Sequence, residues 1–459
     1  MNRRLADAAR ALGGRLAGED RAFGEVSTDS RTLTPGSLFV ALRGPTFDGA
    51  DFVAAALAAG AAGAVVERAV PVPLPQILVG DALGALQALA LAWRAHFRLP
   101  LVAVAGSNGK TTCKEMIAAI LARRGPCLAT RGNLNNHIGV PLTLLRLEAA
   151  HRSAVVEVGT NQPGDIAALM PLVRPTAGLI TNAGAEHLQG FGDMDGVARG
   201  EGETISGLDA DATAVINADD AYSGYWRGLA GARRVVTFGL ADAADFAATG
   251  PGQRIDAGEF VLEFTLRSPL GTAPVLVRAG GMHNVINALA AAAAGAAAGA
   301  SLADIVAGLG DFRPVKGRLQ LKAGAGGSWI IDDSYNANPS SVRAGLDVLG
   351  SLPGTRWLVF ADMAELGAGA AASHSEVGAL ARERGVERLF ALGPLAQRAV
   401  DSFGAGGEWF ADAGTLGGRL RAELRPGVTV LVKGSRVNRL ERIVAAVTDR
   451  GENLEIHTS

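Results

Sequence analysis

Leu101-Val-Ala-Val-Ala105, followed by Gly106-Ser-Asn-Gly-Lys-Thr-Thr112, is the stretch that decides the reading of this chain. Five apolar residues without alternation predict a strand buried on both faces. The glycines allow a tight turn and a close approach of backbone to a ligand. Lys114-Glu-Met-Ile-Ala-Ala-Ile-Leu121 then combines strong helix formers with apolar residues at helical spacing. Strand, glycine loop and helix N-terminus together present backbone N–H groups to a phosphate. Lys110 is placed to neutralise terminal phosphates, and the Thr111 hydroxyl to hold Mg²⁺. The usual phosphate loop carries a further glycine five residues before the second one, where this chain has Val104. The loop is therefore a shortened G-x-x-G-K-T-T version, a signal for nucleotide binding outside the common NTPases. An ordinary Gly-Ser-Asn turn would leave Gly-Lys-Thr-Thr behind a buried strand to chance.

Outward from that loop, 459 residues suggest two to four domains with ample surface to bury. The formal charge of −2 and the lack of a basic stripe argue against a nucleic-acid partner. The apolar fraction is mostly alanine, and Ala288–Ala300 is too weakly apolar to span a bilayer. The first residues are charged and lack a signal-peptide core. Cys113 and Cys127, the two cysteines, have no metal-site spacing, so a reduced cytoplasmic setting is expected. Cys113 is expected to be a small buried helix residue rather than a nucleophile.

The pattern divides into three α/β blocks, residues 1–83, 84–311 and 312–459. The first shows strands at 38–42 and 63–67 around a helix at 52–59. A proline cluster at 71–75 and a helix at 83–97 follow. The second alternates helices with strands at 101–105, 154–158, 178–181 and 214–217, which predicts a largely parallel sheet. The third repeats the scheme with strands at 329–331, 357–360, 388–392 and 428–432. Functional groups in open α/β sheets gather beyond the C-terminal ends of the strands. Glu157, Asn182 with Glu186-His187, Asp332-Asp333-Ser334 and Lys433-Gly-Ser-Arg436 all occupy such ends. Several polar strand ends beside a phosphate loop are better explained by one shared site than by separate caps and turns.

The ordered motifs resemble the Mur ligases, the ATP-dependent amide-forming family of peptidoglycan synthesis. They are Ser27-Thr-Asp-Ser-Arg31, Gly106–Thr112, Gly132-Asn-Leu-Asn-Asn136 with Ile138-Gly-Val-Pro141, and Glu186-His-Leu-Gln-Gly-Phe-Gly192. Further along come His283-Asn284 with Asn287, Gly317-Arg318, Asp332-Asp-Ser-Tyr-Asn-Ala-Asn-Pro339, Asp362-Met-Ala-Glu-Leu-Gly367 and Lys433-Gly-Ser-Arg436. The resemblance covers nearly the full length. It implies a small N-terminal domain for the UDP-sugar, a central ATP-binding domain and a Rossmann-like C-terminal domain. Gly132–Asn136, Asp333–Pro339 and Asp362–Gly367 resemble the branch that adds D-alanyl-D-alanine to UDP-N-acetylmuramoyl-tripeptide. That is the last cytoplasmic step of pentapeptide precursor synthesis. The Asp-Asn-Pro-Arg motif of the diaminopimelate-adding sibling is absent. Either meso-diaminopimelate or lysine could be the tripeptide's third residue.

In this family ATP phosphorylates the tripeptide carboxylate and the amine of D-Ala-D-Ala attacks the acyl phosphate. The resemblance implies ATP and two Mg²⁺, no membrane insertion and a monomer. By resemblance Gly106, Ser107, Asn108, Gly109, Lys110, Thr111 and Thr112 cradle the phosphates. Thr111 and Glu157 bind one Mg²⁺, and His187 a second. Asn284 and Asn287 face adenine, the competing reading of Asn284 being a helix cap. Arg318 and Asp333 reach the γ phosphate and ribose. Tyr335, Asn336 and Asn338 position D-Ala-D-Ala, alongside an Asn-Pro turn. Asn133, Asn135 and Asn136 contact substrate, and Ser30 and Arg31 the uridine diphosphate; unaided, the last two read as a turn before Pro35-Gly36. Glu365 and Lys433 could equally be solvated loop charges.

One position departs from the family pattern. Fourteen residues after His187, most members carry a lysine that reacts with CO₂ to form a carbamate near the second magnesium. This chain has Glu201 there, within Gly196-Val-Ala-Arg-Gly-Glu-Gly-Glu203. A glutamate is a permanent carboxylate, shorter than the carbamate by roughly 3–4 Å when extended. Gly200 and Gly202 would let the backbone come closer. Otherwise Glu201 is a solvated helix charge and the second metal site is weakened. Two further classes compete with a ligase: a nucleotide switch or kinase, and a non-catalytic UDP-sugar binder.

Overall fold

The computed structural model describes residues 3–448. The expected strand Leu101–Ala105 is there and is buried along its whole length. Its side chains divide between two cores. Val102 and Val104 pack with Cys113, Met116 and Ile117, while Leu101, Ala103 and Ala105 join the core on the other face. The strand lies within a six-stranded parallel sheet, ordered Arg234–Phe238, Thr213–Asn217, Ala177–Ile180, Leu101–Ala105, Ser153–Glu157, Cys127–Ala129. The chain runs out to one edge and back before crossing to the far side of Leu101–Ala105. The sheet's topological switch point is thus the strand that carries the glycine loop, where open α/β sheets form their ligand crevice.

Two further sheets accompany this one. Toward the N-terminus, five strands run in the order Arg15–Ala17, Gln76–Leu78, Gly63–Val66, Leu38–Val40, Val26–Ser27, parallel except for the first. Toward the C-terminus, six strands run Gln320–Gly324, Ser328–Asp333, Val428–Lys433, Thr355–Ala361, Arg388–Leu392, Gly407–Phe410, with only Gln320–Gly324 antiparallel. The fold is therefore α/β with mostly parallel sheets, as the pattern predicted. A three-stranded antiparallel sheet, Ala247–Asp256, Glu259–Ser268 and Gly271–Val277, was not expected. Leu262, Phe264, Leu266, Val275 and Val277 pack one face into the core, and Val261 is buried on the other. Among the described residues, no helix is long and apolar enough to cross a membrane.

The alanine run has a packing explanation. Helix His283–Ala297 is buried at Ala288 and from Ala290 to Ala294, and it packs against the loop's own helix, Lys110–Ala122. Small side chains let the two backbones approach. A Cβ on Gly295 would stand 2.9 Å from Ile120 Cγ2, and one on Gly308, in the next helix Leu302–Asp311, only 2.4 Å from Ile120 Cα. Gly308→Ala should therefore cost about 1–3 kcal/mol, because backbone cannot move aside as a side chain can. Gly310, with open space around it, is the control for urea denaturation. Equal midpoints for the two alanine variants would contradict this packing account.

Candidate active site

Two glycines of the loop are dictated by their surroundings. Gly106 has φ 118°, and a Cβ there would lie 2.0 Å from Thr181 Oγ1. Gly109 has φ 83° and caps helix Lys110–Ala122; its missing Cβ leaves room for Asn287 Oδ1, which would otherwise be 2.3 Å away. Asn287 is held in turn by Asn284 Oδ1 at 2.8 Å, and Asn284 Nδ2 donates to Gly280 O. Asn284 is not the cap of its helix, a place taken by Met282. The Asn284–Asn287 pair thus lies buried against the back of the loop.

Beyond the loop opens a cavity of about 850 Å³. It brings together Ser107, Asn108, Gly109, Lys110, Thr111, Thr112, Asn133, Asn135, Asn136, Glu157, His187, Asn284 and Asn287. From the C-terminal sheet come Arg318, Asp333, Tyr335, Asn336, Asn338, Glu365 and Lys433. His283, Ser340 and Arg436 also line it. Four candidates with site roles lie elsewhere. Gly106 and Glu201 are not among the lining residues, and Ser30 and Arg31 stay on the N-terminal unit. There Arg31 is exposed and forms a two-pronged pair with Asp29 at 2.9 and 2.7 Å. That hydrogen bonding pulls the Asp29 carboxyl down to about 2. The turn foreseen before Pro35-Gly36 is present, and its guanidinium is engaged locally.

Charge in the cavity is organised around Lys110. Its ammonium donates to Gly106 O (2.5 Å) and Ser107 O (3.2 Å) and lies 3.6 Å from Glu186 Oε2. Burial works against this charge, but Glu186, Glu201 and Glu157 outweigh it and hold the lysine above its ordinary pKa. Glu186 is buried too, which favours its neutral form; Lys110 and His187 reverse that and keep the carboxyl below its usual range. His187 sits between two carboxylates, Glu186 at 3.4 Å and Glu365 at 2.8 Å. Its burial is outweighed by both, so the imidazole pKa is raised. His187 and Glu365 each adopt positive φ, 52° and 64°. Left-handed backbone in non-glycine residues costs energy and concentrates at functional sites.

Glu157 ends its strand with Oε1 accepting from Asn135 Nδ2 at 2.9 Å. Gly159 makes that approach possible, since a Cβ there would meet Asn135 at 2.8 Å. Glu157 Oε2 is buried and has no hydrogen-bond partner, as does Glu186 Oε2. Unpartnered buried carboxylate oxygens call for a bound cation or donor. No group of three or more His, Cys, Asp or Glu residues forms a metal cage among the described residues. Mg²⁺ does not need one, since it takes one or two carboxylates and completes its octahedron with water and phosphate oxygens. Glu157 Oε2 beside the Thr111 position fits that requirement.

Glu201 is buried in helix Met194–Ser206, and its Oε2 accepts from the Gly106 N–H at 2.7 Å. Gly200 and Gly202 give their Cβ space to the Phe191 ring and to Leu229, on neighbouring helices, and not to the loop. Burial pushes the Glu201 carboxyl up to about 7, with Lys110 pulling the other way. The side chain is not a solvated charge: it is buried, ends against the Gly106 N–H and does not line the cavity.

On the C-terminal side, Asp333 and Lys433 form a buried pair at 2.5 Å, and Lys433 also donates to Asn336 O. Lys433 is thus no solvated loop charge. Arg318 stacks on the Tyr335 ring at 4.4 Å, with Arg436 at 6.0 Å from the same ring. Arg318 Nε is buried without a partner. Asn338 caps helix Pro339–Gly350 through a reciprocal bond with Ser341, with Pro339 in the first turn.

Known proteins resemble this chain along almost its whole length. Residues 23–94, 104–295 and 317–436 match, in turn, the Mur ligase family catalytic domain, the Mur ligase middle domain and the Mur ligase glutamate ligase domain. The UDP-N-acetylmuramoyl-tripeptide–D-alanyl-D-alanine ligase of Escherichia coli (strain K12) is 44% identical over 443 residues, covering 96% of this chain and 97% of that protein. A crystal structure of MurF from Acinetobacter baumannii superposes with a TM-score of 0.90 at 33% identity, over 97% of this chain and 98% of the other. MurF ligase from Thermotoga maritima in complex with ADP superposes at 0.78 with 26% identity, over 92% and 96%. Sequence and architecture therefore agree along almost the entire length: the chain belongs to the Mur ligase family.

Proposed function

We infer that this chain is an ATP-dependent amide-bond ligase that adds D-alanyl-D-alanine to UDP-N-acetylmuramoyl-tripeptide in peptidoglycan synthesis. One observation carries the reading. A phosphate loop, an unpartnered buried carboxylate and the cation-rich strand ends of a second sheet line one cavity. Such a site suits phosphoryl transfer between anions, which depends on alignment and positive charge more than on covalent help.

In this account the γ-phosphoryl group passes to the tripeptide's terminal carboxylate, giving ADP and an acyl phosphate. The amine of D-Ala-D-Ala then adds to the activated carbonyl, and inorganic phosphate leaves as the amide forms. Lys110 exchanges its bonds to Gly106 O and Ser107 O for phosphate oxygens, and the N–H groups of Gly109, Lys110, Thr111 and Thr112 hold the β phosphate. Thr111 and Glu157 Oε2 are assigned to one Mg²⁺ and His187 to a second. Bound there, the ions would neutralise charge on the transferring phosphoryl group. Arg318 has a free buried N–H to offer an anion, and Asp333 and Lys433 fix the segment Tyr335–Asn338 beside it. Asn284 and Asn287 are assigned to the nucleotide base, and Tyr335, Asn336 and Asn338 to the dipeptide. Asn133, Asn135 and Asn136 take the tripeptide substrate, and Ser30 and Arg31 its uridine diphosphate end. We assign residues 1–83 to the UDP-sugar, 84–311 to ATP and 312–459 to closure over both. The enzyme is placed in the cytoplasm as a monomer.

The experiment is an omission series. ADP formation should require both UDP-N-acetylmuramoyl-tripeptide and D-Ala-D-Ala, because the acyl phosphate is shielded from water until the amine arrives. Rapid turnover with ATP and water alone would instead favour a nucleotide switch.

A further inference from the structure

Asn108, in the middle of the phosphate loop, uses its backbone and its side chain for different purposes. Its N–H donates to Asn182 Oδ1 at 3.0 Å; its carbonyl accepts from Thr181 Oγ1 at 2.7 Å and Asn182 Nδ2 at 2.9 Å. The backbone is thereby bolted to the end of strand Ala177–Ile180. The side-chain amide turns instead to the C-terminal unit. Asn108 Oδ1 accepts from Asn338 Nδ2 at 2.8 Å, and Asn108 Nδ2 donates to Ser340 Oγ at 3.1 Å. Ser340 Oγ donates in turn to Asn338 Oδ1 at 3.0 Å, closing a ring of three side chains across the cavity. Asn338 must present its oxygen to the Ser341 N–H, which fixes that amide and, through it, the orientation of Asn108. Asn338 Oδ1 also receives the Ser341 N–H as the cap of helix Pro339–Gly350.

We propose that Asn108 is a positioning residue which sets the register of the C-terminal unit against the phosphate loop through this Asn108–Asn338–Ser340 ring. The proposal rests on the ligase reading above. The segment that the ring locates is already stiff: Lys433 holds Asp333 and the Asn336 carbonyl, and Ser435 Oγ donates to the Ala337 carbonyl. Seating Asn338 on Asn108 therefore places Tyr335 and Asn336 at a fixed distance from the loop's phosphates. Bonds of this kind, open in part to water, add little to stability. Their value lies in alignment, since a small misplacement of reacting groups costs rate steeply.

The test is a double-mutant cycle with Asn108→Ala, Ser340→Ala and the pair. Steady-state rates are read alongside calorimetric ADP affinity and X-ray scattering of the ADP-bound enzyme. Each single change should lower kcat about tenfold, with ADP affinity within about twofold of wild type. The double variant should be no slower than Asn108→Ala, and scattering should show a more open molecule. Asn108→Ser, too short to span the gap, should reproduce Asn108→Ala and covers the chance of a misfolded variant. An ADP affinity that falls as far as kcat would make the amide a nucleotide ligand and overturn the proposal. Losses that multiply in the double variant would overturn it too. A wild-type enzyme inactive with both substrates would refute the ligase reading alone, and the scattering comparison would still decide the ring.

Discussion

Lys110→Ala should lower ADP formation by about a thousandfold while UDP-substrate binding survives. The lysine is the one ammonium inside the loop, and it faces Glu186, Glu201 and Glu157. Removing it leaves several carboxylates where phosphates must bind, so the loss combines missing attraction with new repulsion. The UDP end of the substrate is assigned to Ser30 and Arg31, which lie away from the cavity lining. Calorimetry with UDP-N-acetylmuramoyl-tripeptide separates the two contributions. If the variant loses nucleotide-sugar affinity as severely as turnover, the division of labour between the units is wrong.

Glu201→Gln should lower turnover about a hundredfold, and the wild-type enzyme should be indifferent to removal of bicarbonate. Glutamine still offers an oxygen to the Gly106 N–H, so the shape of the loop is kept. What disappears is a buried acid, pushed up to about 7, which when ionised supports the protonated form of Lys110. A carboxylate fixed in the sequence needs no CO₂ to exist, unlike the carbamate that most of the family carries here. Glu201→Lys should recover, if at all, only with added bicarbonate. Full activity of Glu201→Gln in bicarbonate-free buffer would show that the charge at this position is dispensable.

The strand Leu101–Ala105 was legible because burial on both faces removes the alternation that other strands show, and glycine punctuates its end. The same search for continuous apolar runs passed over the sheet formed by Ala247–Asp256, Glu259–Ser268 and Gly271–Val277. There Glu263 and Thr265 alternate with Leu262, Phe264 and Leu266, and Gly250, Pro251 and Gly252 read as loop. Strand-end polar residues pointed to the cavity because parallel strands deliver their C-terminal ends to one rim. Contacts between distant residues left no such trace. That Asn287 fills the space of a missing Gly109 Cβ, or that Asn108 meets Asn338, depends on how two units approach. Glu201 was marked by its position in a motif, but its bond to the Gly106 N–H depends on how helix Met194–Ser206 packs beside the loop.

The central claim is that a carboxylate is activated by phosphorylation before the amide forms. The most direct measurement supplies UDP-N-acetylmuramoyl-tripeptide labelled with ¹⁸O in its terminal carboxylate, together with ATP and D-Ala-D-Ala. An acyl phosphate requires one labelled oxygen to leave with each molecule of inorganic phosphate, the other remaining in the new amide. Phosphate released without label would contradict the account.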